Sequence, residues 1–318
     1  MRAIVIGSAA GGAFPQWNCG CAGCVAVREG REGFLPRTQD SLAVAATPRS
    51  GNASNASNAS NASDGERFVL VNASPDVLAQ IKATPPLWPR SSRHSPIGAI
   101  VLTNGDLDHV LGLFSMRESQ PLAVYATAPV WRGLEASVLV RTLRRFEGQL
   151  VFRELALEVP VDIADASGAP LGLSIRAFAT PGKLPVHLMG HTEPSPEDNI
   201  GLALSERARD HAVPTLAYAA ACASLEGVHL EGHAAVLFDG TFFREDELVR
   251  QGLSKSVAKD MAHLPIDQSL GALSKLGTRV VYTHINNTNP ILDPKSVERR
   301  EVEAAGIEIA YDGMEIHL

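Results

Sequence analysis

Short apolar runs recur along the whole chain, and none is long enough to be a core helix. They read SLAVAA (41–46), RFVLVNA (67–73), AIVLTN (99–104), LAVYAT (122–127), LSIRAFAT (173–180), IGLALS (200–205), AAVLFDG (234–240) and RVVYTHI (279–285). Most are β-branched or Leu-rich and end in Gly, Pro, Asn or Asp, the signature of strands. Ala3 to Gly7 reads as a first strand running into a loop. Helical spacing of apolar residues appears at 75–83, 109–119, 129–146, 269–277 and 298–306. Pro75 and Pro129 suit first-turn positions, and Gly277 and Gly306 suit helix stops. Strands outnumber helices, yet helices occur in both halves. That pattern favours an α/β architecture of two packed sheets with helices outside over simple strand–helix alternation. No Pro-rich linker divides the chain, so residues 1–318 read as a single domain.

Composition narrows the partners. A formal charge of −7 gives no broad basic surface, which argues against nucleic acid and anionic membrane. No apolar stretch approaches the roughly 20 residues needed to span a bilayer. MRAIVIGSAAGGAF has too short an apolar core for a signal peptide, so a cytoplasmic location is expected. The segment GNASNASNASNASDGE, near residues 50–66, is low-complexity and polar, with nothing to bury. It reads as an expanded, mobile and dispensable loop between strands 41–46 and 67–73. Its N-A-S triplets match the glycosylation pattern, a match without use when no secretion signal is present.

Chemistry concentrates in a few places. TNGDLDHVLGL (103–113) carries an Asp–His pair, Asp108 and His109. Two-metal zinc hydrolases carry His-x-His-x-Asp-His at such a place, with a further His after Thr-Pro-Gly. Here Asn104 and Asp106 stand where the first two histidines would be, and Lys183 in TPGK replaces the third. A protonated Lys has no lone pair for a cation, so one ligand set is lost. The other survives as Asp108, His109, His284 in YTHINNTNP and Asp239 in VLFDGT, all at strand ends. Two histidines with one carboxylate and open positions suit mononuclear non-haem Fe(II) and its dioxygen chemistry. Three ligands and a water would equally serve a zinc hydrolase.

The cluster CGCAGC places Cys19, Cys21 and Cys24 within six residues, which points to thiolates gathered on one soft cation, most simply a structural Zn(II). A closed site needs a fourth ligand, for which His263 in AHLPI, Cys222 and His317 are candidates. His187, His191, His211, His229 and His233 lie in polar stretches and read as surface residues.

These segments resemble the pyrroloquinoline quinone (PQQ) biosynthesis protein B family, a branch of the metallo-β-lactamase fold. The carrying residues are VIGSAAGGAFPQWNCGCAGC, VNASPD, LDHVLGL with the following MRE, LFDGT, AHLPI, THINNTNPILD and AYDGMEI. The resemblance implies the αββα sandwich and a role in making the quinone cofactor. It implies iron- and oxygen-dependent hydroxylation of the tyrosine ring in a peptide-derived Glu–Tyr cross-linked precursor, alongside other PQQ biosynthesis proteins. Carriage of PQQ or its precursor without catalysis is the alternative within the family; a zinc-dependent phosphodiesterase or lactone hydrolase is the alternative within the fold. On this reading Asp108, His109 and His284 hold iron, with Asp239 as a fourth or supporting carboxylate. Related phosphodiesterases pair a three-Cys cluster with a late His, which favours His263 for the zinc. Lys183 is a candidate for binding a substrate carboxylate, and Asn286, Asn287 and Thr288 for orienting substrate or the neighbouring ligand.

Overall fold

A computed structural model of the chain describes residues 1–47, 65–118, 120–190, 193–207 and 215–318. Residues 48–64 of the polar repeat region, together with His191 and His211, lie outside the described residues. The first sheet takes β1 (Arg2–Gly7), β2 (Ser41–Ala45), β3 (Phe68–Val71), β4 (Ile97–Val101), β5 (Leu122–Ala126) and β6 (Leu150–Glu154) in that order. The second takes β7 (Pro160–Ala164), β8 (Pro170–Ala179), β9 (Ile200–Glu206), β10 (Thr215–Ala219), β11 (Ala235–Asp239), β12 (Arg279–Thr283) and β13 (Glu308–Ile309). The last strand, β14 (Glu315–His317), crosses back and pairs antiparallel with β1. With β14 each sheet has seven strands, six of the first coming from the first half of the chain.

Alternation within strands explains the layering. In β3, Val69 and Val71 face the other sheet while Phe68 and Leu70 face outward, and all four are fully buried. The space between the sheets is filled by residues such as Val44, Tyr125, Leu173, Leu202, Tyr218 and Val281. The outer face of the first sheet is covered by α2 (Val77–Ala83), α3 (Leu107–Val110) and α4 (Ala128–Ala136), through Val77, Val110, Val130 and Leu134. The outer face of the second is covered by α6 (Ile266–Leu273) and α7 (Val297–Ala304), through Ile266, Leu270 and Val302. Strands buried on both faces read as continuous apolar runs, as these do. The architecture is the expected αββα sandwich. No helix among the described residues is long and apolar enough to cross a membrane.

Some elements differ from expectation. The helical pattern over 129–146 is broken at Ser137, whose backbone is extended and whose hydroxyl accepts from Leu139 N. A short 3-10 turn, Val138–Leu143, follows in place of a continuous helix. The pattern over 109–119 likewise divides into α3 and a 3-10 turn, Leu111–Ser115. Strands β6, β7, β10, β13 and β14 are additional to those read from the sequence.

Candidate metal centre and active site

In both sheets the strands that feed the site run parallel to their neighbours: β3 to β4, and β10 to β11 to β12. Their carboxyl ends therefore point the same way. Asp108 and His109 follow β4 on α3, Asp239 ends β11, and His284 directly follows β12. The Ala73 amide donates to the His109 carbonyl at 2.7 Å, which ties α3 to the loop after β3. A Cβ on Gly11 would lie 3.2 Å from Asp108 Oδ2, so glycine allows the first loop to close over the carboxylate.

Asp108, His109 and His284 bring one donor atom each within 4.8 Å of one another. His284 Nε2 lies 3.3 Å, and His109 Nε2 3.9 Å, from the same Asp108 Oδ2. Both imidazoles are held from behind by a threonine. His109 Nδ1 is 3.2 Å from Thr103 Oγ1, which donates on to Asn72 Oδ1 at 3.0 Å. His284 Nδ1 is 2.8 Å from Thr241 Oγ1, which donates on to Asp239 Oδ1 at 2.7 Å. A hydroxyl has one proton to give, so in each relay the imidazole Nδ1–H donates to the threonine, which in turn donates onward. That tautomer leaves both Nε2 lone pairs facing Asp108. Outer hydrogen bonds of this kind orient metal-ligating histidines.

The electrostatics agree. Burial pushes the His109 imidazole below its ordinary pKa, keeping it neutral, and its Nε2 is buried without a hydrogen-bond partner among the described residues. Burial opposes ionisation of Asp108, but His109 and His284 outweigh it and hold the carboxyl well below the usual range. Burial likewise opposes the charged form of His284, but the Asp108 hydrogen bond and charge raise it to about 9. A proton and a cation compete for that one lone pair. A buried polar atom with no partner is costly, and a cation between the three donors would satisfy it. These residues fit a metal ion.

The place of the lost ligand set is filled by amides. Asn104 Nδ2 donates to Asn199 Oδ1 at 3.0 Å, and Asn199 Nδ2 donates to Thr180 Oγ1 at 2.7 Å and to the Ala221 carbonyl at 2.8 Å. Asp106 is half-buried beside it, its carboxyl raised above the ordinary range by desolvation and by Asp108, against the opposing charges of His109 and Lys183. Lys183 lines a cavity of about 550 Å³ with Thr180, Asp198, Asn199 and Glu226. It therefore stands near the vacated set.

Several expected positions need correction. His263 does not approach the cysteines: its Nδ1 lies 2.7 Å from Asp239 Oδ2, and its ring centroid is 5.4 Å from that of His284. Its chain segment is fixed there by Leu264 N donating to the Cys222 carbonyl. Asp239, His263 and His284 form a second group with donor atoms within 4.8 Å. Asp239 accepts from Thr241 N, Thr241 Oγ1, Cys222 N and His263, so its oxygens are fully used in holding neighbours. Cys222 is buried, its thiol directed to the Ser224 carbonyl, and His317 sits on β14 beside Glu315. Asn287 and Thr288 do not turn toward Asp108. Asn287 faces the cysteines, and Thr288 donates to Glu247 at 2.6 Å and accepts from Asn286. His233 is buried, not superficial, with Nδ1 at 2.6 Å from Thr215 Oγ1; His187 and His229 are exposed as expected.

Sequence reasoning missed a polar layer beneath the site. Asn72 Nδ2 donates to Tyr218 Oη at 3.3 Å, Tyr218 donates to Asp40, and Thr283 donates to Asp40 at 2.7 Å. All four side chains are buried. Burial raises both Asp40 and Tyr218, so the phenol stays protonated and donates. The layer joins the first sheet to the second directly under His109 and His284. The signal in the sequence was Asn72 directly after a strand in VLVN, whereas Tyr218 and Thr283 lie within strands and Asp40 just before one.

Comparison with known proteins agrees with this geometry. Residues 67–285 match the family described as the β-lactamase superfamily domain. Coenzyme PQQ synthesis protein B of Rhizobium meliloti is 39% identical over 329 aligned positions, covering 100% of this chain and 98% of the relative. The same-named protein of Xanthomonas oryzae pv. oryzae is 38% identical with both chains fully covered. The crystal structure of Zn(2+)-bound PqqB from Methylobacterium extorquens superposes with a TM-score of 0.84 at 34% identity over 100% of both chains. A diphosphatase from the PhnP family shares the fold, with a TM-score of 0.63 at 19% identity over 100% of this chain and 97% of its own.

Proposed function

The chain belongs to the coenzyme PQQ synthesis protein B family of the β-lactamase superfamily, and from that premise we propose that it is a metal-dependent enzyme of PQQ biosynthesis. Its reaction is hydroxylation of the tyrosine ring in the peptide-derived Glu–Tyr cross-linked precursor, which other PQQ biosynthesis proteins supply. One observation carries this reading. Asp108, His109 and His284 bring two imidazoles and one carboxylate together, while Asn104, at one position of the other ligand set of a two-metal hydrolase, is paired with Asn199. That donor set favours Fe(II) with open positions.

Iron(II) held by Asp108, His109 and His284 would supply the binding and activation of dioxygen beside the ring. The chain contributes the rest. Thr103 and Thr241 occupy the two Nδ1 atoms and keep Nε2 facing inward. Asp239 holds His263 through Nδ1, leaving His263 Nε2 to exchange a proton with the phenol. Lys183 pairs with a carboxylate of the acidic precursor. Inserting one oxygen atom into a ring C–H, with the second reduced to water, consumes two electrons, which an external donor or the catechol-like product supplies.

The test is reaction of anaerobically prepared Fe(II)-loaded protein with the precursor, a reductant and isotopically labelled dioxygen. One labelled oxygen atom in the product, lost in Asp108→Ala, is the expected result. Equal turnover with zinc, with label entering from water, would replace hydroxylation by hydrolysis. Tight binding with no turnover under any metal would leave a carrier.

A further inference from the structure

The metal centre occupies the carboxyl ends of the strands, and the other end of the first sheet carries a feature the reaction does not use. There the starts of β4 and β5, with α2 and the turn after it, enclose a cavity of about 160 Å³. Leu87, Ile97 and Leu122 form its buried floor, and Leu78, Ile81 and Met116 its wall. It continues past Glu118 and Gln120, which line both, into an open cavity of about 540 Å³ rimmed by Arg93, Arg117 and Arg145. The two form one surface with an apolar end and a basic end.

The basic end runs against the charge of the chain. The formal net charge is −7, yet around this cavity three guanidinium groups meet one carboxylate, that of Glu118. Three separate segments are tied together to place them. Gln120 Nε2 donates to the Arg93 carbonyl, and the Arg145 guanidinium donates to the Arg117 carbonyl. Arg145 N donates to Gln149 Oε1 at 2.9 Å, and Gln149 is fully buried, so the turn carrying Arg145 is fixed from inside. Among the described residues no carboxylate pairs with the guanidinium of Arg93 or Arg117. Like charges held together repel; an incoming carboxylate removes that cost and meets planar forks suited to it. A free inorganic anion would use the basic half alone. The adjoining chamber calls for an apolar group as well, and Met116 gives it an adaptable wall.

We infer that this surface docks an acidic segment of another polypeptide, with one apolar side chain seated among Leu78, Leu87 and Met116 and its flanking Asp or Glu residues on the arginines. Charge complementarity selects the occupant: the net negative charge of the chain repels such a segment elsewhere and steers it here. The placement also leaves the metal centre uncovered. Ile97 begins the strand whose far end leads to Asp108 and His109, so a docked partner and an entering substrate use opposite ends of the sheet.

The test pans a random dodecapeptide library against the full metal-loaded chain and reads the enriched sequences. They are expected to carry one apolar residue flanked by Asp or Glu, and to bind several-fold more weakly as salt rises from about 0.05 to 0.2 M. Arg93→Glu combined with Arg117→Glu changes two exposed positions, and affinity for the best peptide is expected to fall at least about tenfold. Leu78→Glu, at a 43% exposed position on the rim, is a second variant with the same expected loss. Replacing the apolar residue of the peptide by Ser is expected to weaken binding to a similar degree. Asp108→Ala is expected to leave binding unchanged, which separates this surface from the metal centre. Enrichment of neutral or basic peptides, or of peptides that Asp108→Ala releases, would overturn the proposal. Parental affinity in both surface variants would do the same. A Ser-substituted peptide that binds as tightly would refute the seated side chain and leave unspecific charge attraction.

Discussion

Replacing Tyr218 by Phe removes one oxygen from the centre of the sandwich and leaves every apolar contact in place. Its hydroxyl is donor to Asp40 and acceptor from Asn72 Nδ2, and both partners are fully buried. Asp40 keeps Thr283 as a donor, so it loses one of two bonds; the Asn72 amide loses the acceptor it uses here. A hydrogen bond to an acidic group is worth about 1.5–3 kcal/mol, and a buried donor left without a partner costs about 1–3 kcal/mol. Taken toward their lower ends the two add to about 3 kcal/mol, with all four side chains of the layer buried from solvent. Urea unfolding should show a lower midpoint with an unchanged slope, since the surface exposed on unfolding hardly differs. At roughly 2 °C per kcal/mol for a chain of this size, the thermal midpoint should fall by about 6 °C. Coupling between Tyr218→Phe and Asp40→Asn in a double-mutant cycle should exceed about 1 kcal/mol. A loss below about 1 kcal/mol, or additive single effects, would refute the claim that this layer fastens the two sheets.

Three further outcomes follow from the geometry. Thr103→Val keeps the shape near His109 but removes the acceptor for Nδ1–H; metal affinity at the Asp108 site, read by competition with a chelator, should fall about 10- to 100-fold. Gly112→Ala would put a Cβ 2.0 Å from the Ser74 carbonyl oxygen and 2.8 Å from that of Ala73; backbone must move, and a stability loss of at least about 3 kcal/mol in the same urea assay is expected, beyond ordinary overpacking. Burial raises Glu247 from 4.5 to about 7, against hydrogen bonds from Thr288 and Phe243. A raised folded pKa means the folded state binds the extra proton, so this stabilisation is complete below about 4.5 and is lost as the pH rises to about 7. The change is about 3 kcal/mol, at 1.36 kcal/mol per pH unit, and Glu247→Gln should flatten that slope at constant metal loading.

The sequence carried the identities of the clustered residues better than their grouping. Asp108, His109 and His284 were legible because each follows an apolar run that must be a strand, and strand ends converge. His263 was not placed correctly, for a physical reason. The loop after β12 serves two clusters, turning His284 inward and, three residues later, Asn287 toward the cysteines. Spacing along the chain gives no means of deciding which cluster a distant His will join. Asn287 was read as a substrate contact because amides so often are. Strands β6 and β7 escaped notice because their residues are only partly buried and the alternation is weak. TLAYA in β10 runs on into further Ala and Cys residues, without the Gly, Pro, Asn or Asp that bounds the other strands. The extension of the helix past Ser137 failed because apolar spacing continues across a residue whose side chain caps a new turn.

The division of the chain into two sheets has a consequence for how the protein comes to be loaded. Asp108 and His109 belong to the first half of the chain and His284 to the second. A nascent chain that has made only β1 to β6 carries two of these three residues, and the third arrives with β12. Cation capture is thus a signal that both inputs are present, like the output of a coincidence detector. Its kinetics count finished molecules, and chelator added during refolding should leave assembly of the two sheets in place while silencing that readout.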